Sequence, residues 1–160
     1  MPVWFTLFAH VTVIAYAIVG GVFLAFSDFI MRALAQSGAG GLQSMQAINR
    51  TVFRWIFMAL FLGLVPVSLA LAGYAIWALD GARAGMFVLV AALYVIGCFG
   101  VTAAANVPMN EALAGMDASD DAARAYWTRT YVPRWTFWNS VRSVACIAAS
   151  AVLLWALALA

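Results

Sequence analysis

Apolar and polar positions alternate along this chain on the scale of whole helices. Apolar runs extend from about Val3 to Phe26, Trp55 to Leu79, Ala84 to Ala105, and Trp138 to residue 158, with Arg142 the one Asp, Glu, Lys or Arg inside them. A helix of about 20 apolar residues rises roughly 30 Å and crosses the hydrocarbon of a bilayer. The pattern predicts four spans in an up-down-up-down bundle: an all-α integral membrane protein forming one domain over residues 1–160. Asp28 and Arg32 stand as an i,i+4 pair, so the first helix should continue past the lipid until Gln36-Ser-Gly-Ala-Gly-Gly41 ends it. Gly20-Gly21 within it permits close approach of another helix. From Leu42 to Arg54, Leu42, Met45, Ile48, Val52 and Phe53 form an apolar stripe with Gln43, Gln46, Asn49 and Arg50 between them. This predicts a short interfacial helix leading into the second span.

Pro66 should kink the second span. Asp80-Gly81 predicts a tight turn and an antiparallel hairpin of spans two and three. After the third span, Asp117 or Ser119 could cap a short interfacial helix, with Asp120 and Asp121 in its first turn. Tyr126, Trp127, Tyr131, Trp135 and Trp138 suggest an aromatic belt at the interface, and Pro133 suits the first turn of a final helix.

Composition sharpens this picture. The 160 residues are 67% hydrophobic and only 9% charged, against roughly 25% in soluble domains. Net charge is +2, with eight Arg and no Lys, which gives no argument for nucleic acid. Met1–Phe26 lacks a basic start and exceeds a signal-peptide core, so it is expected to be a retained span. Seven of the eight arginines fall in or beside the two longer connections, and only Arg83 falls on the other side. The positive-inside rule then places those connections in the cytoplasm and both termini outside, facing the periplasm if the membrane is a bacterial inner membrane. Cys98 and Cys146 lie in apolar runs and suggest neither a disulfide framework nor a zinc site. His10 has no second ligand at metal spacing, so haem through His10 is not expected, nor any other cofactor.

The candidate chemistry collects at the cytoplasmic ends. Asn106-Val-Pro-Met-Asn110-Glu111 places two carboxamides at i and i+4, with Pro108 between them freeing the carbonyl of Ala104. Trp135, Asn139 and Arg142 share a face of the last helix, as do Gln46, Asn49 and Arg50. Carboxamides, one fixed cation and aromatic walls suit an apolar ring that develops negative charge. The candidate catalytic residues are Arg142, Asn139, Asn110, Asn106 and Glu111. The candidate substrate-binding residues are Gln46, Asn49, Trp135 and Trp138. The alternative is that the Asn residues only join helices, and that Arg142 snorkels or pairs with Asp28 or Glu111.

Four segments resemble the anthrone oxygenase family, also called DUF1772. They are Gly21-Val-Phe-Leu-Ala-Phe-Ser27 with Met31 and Leu34, Met45-Gln-Ala-Ile-Asn49, Asn106-Val-Pro-Met-Asn110-Glu-Ala-Leu113, and Trp135 with Trp138-Asn139-Ser-Val-Arg142. The resemblance implies a small four-helix membrane protein. The family's fungal members are associated with oxidising anthrones to anthraquinones without a known need for metal or flavin, so the resemblance implies an oxygenase; from the chain's own polar cluster, Glu111 is the nearest candidate base. The partners expected are membrane lipid and a small aromatic substrate, and a homo-oligomer is an open possibility. The competing expectation is a non-catalytic accessory subunit, or a lipid or quinone binder, within a larger membrane complex.

Overall fold

The computed structural model describes residues 1–54 and 56–159. The expected start of the second span at Trp55 lies outside the described residues. Four helices are long and apolar enough to cross a membrane: α1 (Val3–Gln36), α3 (Ile56–Ala78), α4 (Gly81–Ala114) and α5 (Asp121–Ala158). A shorter α2 (Ala39–Thr51) and a 3-10 turn (Val52–Arg54) connect α1 to α3. No strand occurs among the described residues. The protein is an integral membrane all-α bundle. Large apolar side chains such as Leu7, Ile14, Leu69, Ile96 and Leu154 are exposed along its outer faces, where lipid covers them.

Three of the helices run further than their apolar stretches. α1 and α4 have 34 residues each and α5 has 38, whereas α3 has 23. A 34-residue helix is about 50 Å long, well beyond the roughly 30 Å of hydrocarbon. The surplus is at one end. The two chain termini and the α3–α4 turn lie together at the other, where Phe5 stacks on Tyr74 with centroids 4.0 Å apart and Arg83 donates to the carbonyl of Leu159. At the arginine-rich end, α1, α4 and α5 therefore project past the start of α3. The helix α2 and the 3-10 turn cover part of the space this leaves.

The α1–α5 contact runs the length of the bundle and is built on small residues. A Cβ on Gly20 would stand 3.0 Å from the Cβ of Cys146, while Gly21 faces open space. Hydroxyls close the seam: Ser143 donates to the Gly20 carbonyl and Ser150 to the Val13 carbonyl, each at 3.1 Å. Tyr94 donates to the Phe61 carbonyl, and Tyr16 shares a 2.7 Å hydrogen bond with Ser68. Such packing and hydrogen bonds, each worth about 0.6 kcal/mol on average, hold helices together where lipid removes the hydrophobic drive.

Several local expectations are corrected. α1 ends at Gln36 as expected, but the break that follows is only Ser37-Gly38. Gly38 has φ +56°, and helix resumes at Ala39, so Gly40 and Gly41 are helical. Gly41 is required because a Cβ there would sit 1.7 Å from the carbonyl oxygen of Leu34. Asp28 and Arg32 do not pair. Among the described residues the one ion pair is Asp121–Arg124, on the surface. The physical reason is that Phe26–Ile30 forms π turns, whose wider i→i+5 spacing breaks the i,i+4 register. Asp120, not Asp117 or Ser119, occupies the N-cap position of α5, without a side-chain bond. Asp117 instead accepts from the Ser119 N–H at 2.9 Å and the Ser119 hydroxyl at 2.8 Å. These bonds hold its carboxyl below the usual carboxylate range, so the turn they close persists above that range and weakens as pH falls through the lowered value.

The last α-helical segment runs from Val132 with Pro133 in its first turn, as expected, but it is not the start of the helix. α5 is continuous from Asp121 through π turns at Trp127–Tyr131. Pro108 is also preceded by π turns, at Thr102–Asn106. A proline ring collides with the carbonyl four residues back. For Pro108 and Pro133 that carbonyl belongs to Ala104 and Arg129, each inside a π segment whose wider turn moves it aside. The expected aromatic belt is not a belt either. Trp127, Tyr131 and Trp135 are buried and stack along α5, with centroids 5.3 and 6.0 Å apart. Their i,i+4 spacing is a buried stripe that continues into Asn139.

Candidate functional site

The missing turns of α3 leave a chamber of about 660 Å³ at the arginine-rich end. This lies within the roughly 300–1,000 Å³ typical of small-molecule sites. Its walls are mainly aromatic and aliphatic, with Phe23 and Phe26 from α1, Phe57 and Phe61 from α3, Phe99 from α4 and Met45 from α2. Polar groups enter from Asn49, Thr51, Thr102, Asn110, Trp135 and Arg142. Among the described residues, Arg142 is the one ionisable side chain in the lining.

Arg142 is 5% exposed, near the middle of α5. Its guanidinium carbon lies 4.2 Å from the centroid of Phe23 and 5.3 Å from that of Trp135, a cation held on two aromatic faces. One terminal nitrogen donates to Asn139 Oδ1 at 2.6 Å and the other to Thr102 Oγ1 at 3.2 Å. The Nε has no partner. No carboxylate lies within ion-pair distance among the described residues. The alternatives of snorkelling or pairing with Asp28 or Glu111 do not describe this side chain; both acids are exposed.

Asn139 sets the aim of Arg142. It is fully buried, and its Nδ2 donates to the Phe23 carbonyl and to Ser27 Oγ, each at 2.6 Å. These bonds fix which end of the carboxamide faces the guanidinium. Ser140 bonds the same Ser27 hydroxyl at 2.9 Å, locking α5 to α1.

A second polar group sits on the lining. Tyr131 Oη donates to Asn110 Oδ1 at 2.7 Å, Trp135 Nε1 donates to the same oxygen at 2.8 Å, and Asn49 Nδ2 reaches Tyr131 Oη at 3.3 Å. With its oxygen doubly engaged, Asn110 keeps its NH2 group for other acceptors. Asn106 is buried behind this layer. Its Nδ2 donates to the Trp135 carbonyl at 3.2 Å and its Oδ1 has no partner.

A family model for anthrone oxygenases matches residues 51–152. The chain belongs to the anthrone oxygenase family. The match spans α3, α4 and most of α5, and so includes Asn106, Asn110, Trp135, Asn139 and Arg142. The similar segments in α1 and α2 precede it. No curated protein and no solved structure matches the chain.

Of the site residues named from sequence, the fold brings Arg142, Asn110, Asn49 and Trp135 to the chamber wall, with Asn139 and Asn106 directly behind them. Three lie elsewhere. Glu111 is exposed and outside the lining, because it follows Asn110 by one residue and so turns about 100° away from it around α4. Trp138 is 38% exposed and packs edge-on against Phe137 on the outer face of α5. Gln46 donates to the carbonyls of Leu113 and Met116 at 2.8 and 2.9 Å. It thereby ties α2 to the end of α4, where helix carbonyls lack partners. His10 is exposed near the opposite end and bonds the Thr6 carbonyl of its own helix at 2.7 Å.

Sequence reasoning did not single out Thr102 or the phenylalanine wall. Thr102 precedes Asn106 by four residues and carried the same kind of signal as the Asn106–Asn110 pair. Phe57, Phe61 and Phe99 carried none, since phenylalanine is an ordinary residue of an apolar span, and Phe23 and Phe26 entered only as part of the first family-like segment.

Proposed function

We propose that the chamber binds a planar aromatic carbon acid of the anthrone type, pairs its enolate oxygen with Arg142, and lets the anion react directly with dioxygen. The observation that carries this reading is an uncompensated guanidinium facing an apolar, aromatic-walled space. Loss of a methylene proton from an anthrone leaves negative charge mainly on the carbonyl oxygen. A fixed cation and its hydrogen-bond donors in a low-dielectric site favour that anion over the neutral ketone. Electron transfer from the enolate to O2 gives a radical pair that collapses to a C–O bond. Protonation yields a hydroperoxide. Loss of the remaining C–H proton, with cleavage of the O–O bond, yields the second ketone. One O2 is consumed and one water is released for each anthraquinone formed. Substrate electrons suffice, so the reading calls for no metal or flavin.

Within this reading Arg142 stabilises the oxyanion, Asn139 and Thr102 position Arg142, Trp135 and the phenylalanines hold the ring, and the Asn110 NH2 and Asn49 meet a second substrate oxygen. Glu111 is too far round α4 to take the proton, which leaves through water at the mouth. Phe53, 67% exposed, and Leu62 form an apolar rim there, suited to a ligand arriving from the bilayer. By the charge asymmetry, the chamber opens toward the cytoplasmic leaflet and both termini lie outside.

The test is oxygen uptake by purified protein supplied with an anthrone. The expected result is uptake above the spontaneous rate, one O2 per anthraquinone, and its loss in Arg142→Met. Uptake that is absent, or unchanged in that variant, overturns the reading. A non-catalytic binder of quinone or lipid, serving a larger membrane assembly, would use the same apolar rim. Saturable ligand binding without oxygen uptake would favour it.

A further inference from the structure

The two cysteines of the chain are 48 positions apart, yet α4 and α5 bring their sulfur atoms to 3.2 Å. Both side chains are free thiols and fully buried. The pair stands directly beside the candidate site. Cys146 follows Arg142 by one turn of α5. Cys98 precedes Thr102 by one turn of α4, and the Thr102 hydroxyl both donates to the Cys98 carbonyl at 2.8 Å and accepts from Arg142. The same α4–α5 seam thus carries the guanidinium contact and, one turn away, the two thiols.

We propose that Cys98 and Cys146 are a reversible redox pair that hydrogen peroxide converts to a disulfide within one chain, tying α4 to α5 beside the chamber. The sulfur atoms need to approach by about 1 Å to reach a bond length of about 2.05 Å. The backbone offers room for this. Cys98 lies within π turns at Leu93–Gly100, a segment whose hydrogen bonds can shift between i+4 and i+5 partners. The neighbouring Gly97 keeps the helices close, since a Cβ there would meet the Cβ of Ala145 at 2.9 Å.

The chemistry balances. One cysteine, as thiolate, attacks a peroxide oxygen, breaks the O–O bond and becomes a sulfenic acid, while the departing hydroxide takes up a proton to leave as water. The second thiol displaces the sulfenic oxygen as a second water and forms the S–S bond. Two thiols and one peroxide give one disulfide and two waters.

The pairing itself does not depend on the oxygenase reading, and its test does not use activity. Purified protein in lipid nanodiscs is treated with hydrogen peroxide, denatured, alkylated and weighed intact. The expected product is a single chain, unalkylated and about two daltons lighter than the reduced form, which dithiothreitol returns to two alkylatable thiols. Cys98→Ser and Cys146→Ser, near-isosteric changes, should each lose the two-dalton product. Two alkylated thiols after peroxide, over-oxidation of one cysteine, or a disulfide between two chains would each overturn the proposal.

Discussion

Burying a guanidinium costs several kcal/mol unless acceptors or a carboxylate compensate it. Arg142 has two acceptors, an orphaned Nε and no acid. An arginine kept only for stability would be better replaced by an apolar residue of similar shape. Arg142→Met should therefore keep the fold, with a thermal midpoint within a few degrees of wild type in detergent, while kcat/KM on an anthrone falls by about 10²–10³-fold, as for loss of one oxyanion donor. A collapse of stability would mean that the residue is chiefly structural. Asn139→Asp is the complementary change, because it puts a carboxylate 2.6 Å from the guanidinium. An anionic ligand should then bind at least about tenfold more weakly, the equivalent of 1.4 kcal/mol, measured by titration with a phenolate. Unchanged affinity would remove Arg142 as the anion's partner. At this scale the sequence was informative about polar groups. Asn106, Asn110, Asn139 and Arg142 stood out because each carries a polar group next to an apolar run. Glu111 and Trp138 misled because the chemical type of a residue does not say which side of its helix it faces.

The π turns change which side chains share a face. Each shifts the residues that follow it by about one position relative to an unbroken α-helix, which is why Asp28 and Arg32 part. They left little trace in the sequence beyond Pro108 and Pro133, which each stand two residues past a π segment. Pro66 differs, for it lies within α3, which is α-helical from Ile56 to Ala78. An internal proline costs a helix about 3 kcal/mol relative to Ala. Pro66→Ala should consequently raise the thermal midpoint by more than Pro108→Ala does, because the π turn already relieves part of the cost at 108. Equal shifts would contradict this account of the π segments. Gly41 makes a second prediction for an element. Gly41→Ala drives a methyl group into the Leu34 carbonyl, displaces α2, and should lower stability together with ligand affinity, since Met45 and Asn49 of α2 line the chamber.

The whole molecule was the most legible level. Four apolar runs, one short amphipathic helix and one Asp-Gly turn predicted the bundle and its connections. Hydropathy marks where lipid ends rather than where helix ends, so the projecting turns of α4 and α5 went unseen although that of α1 was expected, and the chamber between the three went unseen with them. The arginine distribution makes a prediction at this scale. A C-terminal reporter that works only outside the cytoplasm should be active, and one that works only inside should be silent; the reverse pattern would invert the topology. The most direct measurement of the central claim is the ionisation of a bound anthrone. Under anaerobic conditions, its enolate absorbance is titrated against pH in the presence of saturating protein. The account predicts that wild-type protein lowers the pH at which the bound anthrone ionises, relative to Arg142→Met and to free ligand. Identical titration curves for wild type and Arg142→Met, with ligand bound to both, would contradict it.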